Sequence, residues 1–167
     1  MSSRDSIIQV LNFFLFVTAQ ILLVRNFVLF DTAFCFIYVA FILLLPLEIG
    51  PALILFLAFG TGLLVDLFYD TLGIHAAASV LIAFLRPQVV KVITPRGGYE
   101  ASMNVSAKSM GLDWFIPYAF TLIFIHHATL FFIEASNWGL FWPTLVKAVC
   151  STFFTGILLL ILQYFKK

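Results

Sequence analysis

The residue types that could do chemistry in this chain gather in one stretch, Gly60, Gly62, Asp66, Asp70, Gly73 and His75. Asp66 and Asp70 are four apart, so on a continuing helix they share a face, with Gly62 one turn earlier on it. A carboxylate inside an apolar segment is costly to insert and ordinarily points into a bundle interior or a wet cavity. Asp66 is therefore the leading candidate for a polar contact within the bundle or with a partner helix; the competing reading is a helix-end carboxylate reaching the headgroups. Asp70 and His75 fall at the end of the same segment, where they mark a candidate polar site on the outer side.

The spacing GxxxDxxxD made by Gly62, Asp66 and Asp70 is half of the motif of the CDP-alcohol phosphatidyltransferases, in which four aspartates hold divalent metal at a cytidine diphosphate. The DGxxAR half is absent upstream, and two carboxylates supply too few oxygen ligands for Mg²⁺ on a diphosphate. His126 and His127 are adjacent, project about 100° apart on a helix and do not suit joint ligation of one metal; they suit hydrogen bonds to neighbouring helices. Glu134 and Lys147 flank a short connection and fit a simple ion pair. Cys35 and Cys150 lie in apolar runs without CxxC spacing, as small buried hydrophobes do. With no nucleophile beside a base and no phosphate-binding glycine loop, the expectation is a non-enzymatic protein without cofactor or metal. A net charge of +1 gives no electrostatic reason for nucleic acid.

The elements that must position these residues follow from composition. Hydrophobic residues make up 63% and charged residues 10% of the chain, where a soluble domain carries about a quarter charged. The outer solvent must be hydrocarbon, and the apolar runs are too continuous for alternating barrel strands, which leaves helices. A spanning helix needs about 20 apolar residues. That length divides the chain, 1–167, into a single all-α transmembrane domain of about six spans, 7–24, 33–47, 52–68, 76–93, 114–134 and 145–165. The first run is too long for a signal-peptide core and lacks a small-x-small cleavage site, so an uncleaved span is expected. Pro46, Glu48, Gly50 and Pro51 make a tight turn after the second span. A kink is expected at Pro87. The one sizeable loop is 94–113, and Trp138 and Trp142 suit an interfacial belt.

Arg4, then Arg86, Lys91, Arg96 and Lys108, then Lys166 and Lys167 fall on alternate sides of this division from Arg25 and Lys147. The positive-inside rule therefore puts both termini and the long loop in the cytoplasm.

With these features in place, the chain resembles the rod shape-determining MreD family of bacteria. The resemblance covers nearly the whole length and is most specific from Pro46 to Arg86. There a proline-ended second span is followed by Phe59, Gly62, Asp66 and, seven positions on, Gly73, and then by an Ala-rich fourth span ending in Arg86. The resemblance implies a multi-pass protein of the bacterial inner membrane, bound to membrane lipids, that serves as a scaffold for lateral peptidoglycan synthesis. Its implied partners are MreC, MreB and a transmembrane glycosyltransferase with its transpeptidase. It also implies a fold similar to the S-components of vitamin transporters. Gly62, Asp66 and Gly73 are then the expected positions of helix packing or partner docking, and Gly60 joins them because a glycine there, as at Gly62, permits close approach by another helix. The alternative is a small-molecule binder similar to an S-component, with its site at Asp66, Asp70 and His75.

Overall fold

The computed structural model describes residues 3–95, 97–99 and 104–165. Arg96, Lys166 and Lys167, and the side chain of Arg4, on which part of the expected charge bias rests, lie outside the described residues. Among the described residues, five helical segments are long and apolar enough to cross a membrane, Ser6–Val24, Pro51–Tyr69, Ile74–Val92, Leu112–Ala135 and Trp138–Phe165. They mark the chain as a membrane protein. The first comprises α1 (Ser3–Ala19), continued by a π-helical turn at Gln20–Val24. The next three are α3 (Pro51–Tyr69), α4 (Ile74–Val92) and α6 (Leu112–Ala135), and the last is α7 (Phe141–Phe165) with a 3₁₀ turn before it. Short elements lie between them: β1 (Val28–Leu29), β2 (Ala33–Phe34), α2 (Val39–Leu43) and α5 (Ala107–Met110).

The ends of the five long helices lie within a few residues of five of the expected spans, and local signals set them. Pro51 occupies the first turn of α3, where its missing N–H costs nothing. Ser106 caps α5 by accepting the Ser109 N–H at 3.1 Å, which gives the long loop one ordered turn. Helix α4 continues through Pro87 to Val92. The buried stripe of α3, Ile54, Ala58, Gly62, Val65 and Asp66, meets the small-residue face of α4.

The expected helical span 33–47 is corrected: α2 is only five residues long, and the stretch before it begins with a two-residue strand in an antiparallel ribbon, Val28 opposite Phe34 and Leu29 opposite Ala33. The fold is therefore helical with one small ribbon. The aromatic residues Phe34 and Phe36 favour extended backbone at the ribbon, Ile37 and Tyr38 turn the chain into α2, and Pro46 prevents α2 from continuing. Hydropathy does not separate a buried extended run from a buried helix.

This segment passes from one end of the bundle to the other. Gln20, at the end of α1, bonds Tyr69 at the end of α3, whereas Pro46 bonds Arg86 in the second half of α4. From Cys35 to Leu45 every residue is buried. Irregular backbone at membrane depth is tolerated only where protein surrounds it and supplies its hydrogen bonds.

Candidate functional site

Asp66 is buried at the α3–α4 corner and closes the start of α4. Its carboxylate accepts the N–H of His75 at 3.0 Å and of Ala76 at 2.9 Å, and it also accepts the Thr71 hydroxyl. The first N–H groups of a helix have no partner within it and carry its positive dipole end, so an anion placed there is doubly favoured. The chain turns to allow this through Asp70 at φ 58° and Gly73 at φ 88°, both left-handed. A side chain other than glycine at position 73 would be strained. Gly62 sets the distance between the helices: a Cβ there would lie 2.5 Å from the Ala76 Cα and 2.6 Å from the His75 carbonyl oxygen. Gly60 differs, with nothing within 4 Å of a Cβ.

Asp66, Gly62 and His75 are thus brought together, while Asp70 is exposed and Gly60 is half-buried with open space beside it. Asp66, Asp70 and His75 do not line one open site. Among the described residues no group of three or more His, Cys, Asp or Glu is placed to hold a metal ion.

His75 belongs instead to a cluster that contains all three histidines of the chain. The Tyr38 hydroxyl lies 3.1 Å from His75 Nδ1 and 2.6 Å from His126 Nε2. One phenol cannot donate to both rings, so it donates to one imidazole and accepts from the other. His127 turns to a different neighbour, with Nε2 3.2 Å from Thr155 Oγ1 and Nδ1 2.7 Å from the Ile123 carbonyl. The Phe36 ring fills the middle, with centroids 5.2 Å from His75, 5.4 Å from His127 and 6.2 Å from His126. His126 Nδ1 is buried without a hydrogen-bond partner. At the same end Lys147 pairs with Glu134 at 3.1 Å and lies over the Phe34 and Phe131 rings.

Residues that composition alone does not single out hold the irregular segment. Gln20 donates to the Cys35 carbonyl at 3.1 Å and to Tyr69 at 2.6 Å. Ser151 and Thr155 of α7 accept the N–H groups of Phe34 and Phe36 at 2.9 and 3.1 Å. At the far end Arg86 donates from Nε to Tyr118 at 2.6 Å, from Nη1 to the Pro46 carbonyl at 3.3 Å, and from Nη2 to the Leu45 carbonyl. The Tyr118 hydroxyl in turn donates to the Leu43 carbonyl at 2.8 Å. Tyr118 thereby closes the last carbonyl of α2 and Arg86 the two carbonyls of the turn that follows it, as Asp66 closes the N-terminal amides of α4. The signal for these residues was their polarity within apolar runs, since a buried polar group must find a partner.

The fold and this interior define the class of protein as a helical membrane bundle with a side-chain-bonded core. Comparison with family models, with curated proteins and with solved structures finds no match for the chain.

Proposed function

We propose that this protein is a non-enzymatic scaffold of the bacterial inner membrane, acting in the cell-elongation machinery through contacts with MreC and other membrane partners. The reading rests on the resemblance carried by Phe59, Gly62, Asp66 and Gly73. The observation that favours it is the full engagement of Asp66: its carboxylate accepts two main-chain amides and a hydroxyl. A carboxylate used this way rigidifies a helical corner and is not poised as a base or metal ligand. Docking then falls to outward faces such as that of α3, where Leu53, Phe56, Gly60 and Leu67 stand. In this reading the irregular segment makes the second of six crossings, and both termini and the long loop are cytoplasmic, as the positive-inside rule requires.

The test is gentle solubilisation of the tagged protein from its native membrane, followed by mass spectrometry of what accompanies it. Recovery of the elongation proteins, reduced by enlarging Gly60, supports the scaffold. A stoichiometric small molecule without those proteins supports the binder similar to an S-component instead.

A further inference from the structure

We propose that residues 26–38, the ribbon and the irregular stretch behind it, form a strap that releases locally and opens the three-histidine cluster to the ribbon end of the bundle. Three independent features of the chain carry this inference.

The first is attachment. The strap's strand pairing is internal, Val28 with Phe34 and Leu29 with Ala33. The irregular stretch is tied to the surrounding helices through side chains: Gln20 to Cys35 and the Tyr38 N–H, Ser151 to Phe34, Thr155 to Phe36, and the Tyr38 hydroxyl to His75 and His126. Releasing it breaks these side-chain bonds and no interhelical backbone ladder.

The second is strain. Phe30 and Asp31 adopt φ of 53° and 52°, a region that bulky residues rarely occupy. The helix that delivers Gln20 changes from α to π at that residue, a distortion that recurs at functional positions. Both sites of distortion bracket the same stretch.

The third is what lies beneath. Phe36 packs on the rings of His75, His126 and His127, and the closed arrangement leaves His126 Nδ1 without a partner. An unpartnered buried polar atom destabilises the state that contains it, and water entering on release removes that penalty. The closed strap is therefore held less firmly than its burial alone implies.

Cys35 lies in the strap and is 2% exposed, so its thiol reports release. The experiment uses the Cys150→Ser protein in lipid nanodiscs with a small water-soluble thiol reagent. Its control is Ala58→Cys in a Cys35→Ser, Cys150→Ser background, position 58 being 0% exposed on α3. Local release predicts that Cys35 reacts about tenfold or more faster than the thiol at position 58. Gln20→Leu and Thr155→Val, each removing one tether, then accelerate Cys35 further and leave position 58 unchanged, with monodisperse elution confirming an intact fold. Equal slow rates at the two positions, or equal acceleration of both by the tether variants, would mean that only global loosening exposes Cys35 and would overturn the proposal.

Discussion

Asp66 and Arg86 are charged groups inside apolar helices, and each is stabilised by main-chain and hydroxyl groups at a helix end. Asp66→Ala leaves the His75 and Ala76 amides without their acceptor, which costs about 2–4 kcal/mol. The thermal unfolding midpoint in detergent should fall, and Asp66→Asn, which keeps one acceptor oxygen, should fall less. Equal loss in both would argue that charge at the helix start matters more than hydrogen-bond geometry. Arg86→Lys should fail to restore stability, because one ammonium cannot replace a planar fork that reaches Tyr118, Leu45 and Pro46 together. A lysine variant as stable as the parent would contradict the account of the α2 end. Asp66 was legible as an intramembrane carboxylate, but its acceptor role was not, since it depends on how the chain turns through Asp70 and Gly73. Gln20 and Tyr38 were illegible as partners because their targets, main-chain groups and histidines far along the chain, are fixed only by packing.

At the scale of elements, the two glycines of α3 separate packing from docking. Gly62→Ala places a methyl against the backbone of α4 and should destabilise by about 1–3 kcal/mol, the usual cost of overpacking. Gly60→Ala meets nothing and should stabilise the isolated protein by about 0.5–1 kcal/mol through helix propensity. Differential unfolding of the two variants in detergent checks both signs; a destabilised Gly60→Ala would mean that position 60 is packed within the bundle. If Gly60 lies at a partner interface, Gly60→Leu should reduce partner recovery without lowering the unfolding midpoint. Five long helices and their ends were readable from apolar length, from Pro51 and from the polar clusters that follow α3 and α4. The second apolar run was not, because hydropathy records that a segment is buried but not whether its backbone bonds itself. Here the backbone bonds itself only in the turns around α2, while Gln20, Ser151 and Thr155 bond the stretch before it and Arg86 and Tyr118 the carbonyls after it.

For the whole molecule, the central claim is that an irregular segment crosses the bundle and is held there by side chains from the helices around it. The chain order requires it: α1 ends beside the end of α3 at Gln20 and Tyr69, so the residues between must travel the length of the bundle before α3 begins. The most direct test is the side from which single cysteines react with a membrane-impermeant reagent in a background carrying Cys35→Ser and Cys150→Ser. Asp31→Cys and Leu72→Cys sit in exposed loops at the ribbon end, and Glu48→Cys is exposed beyond the irregular segment. The account predicts that positions 31 and 72 react from one side of the membrane and position 48 only from the other. Reaction of all three from the same side would show that the segment turns back without crossing, and the six-crossing arrangement would be wrong.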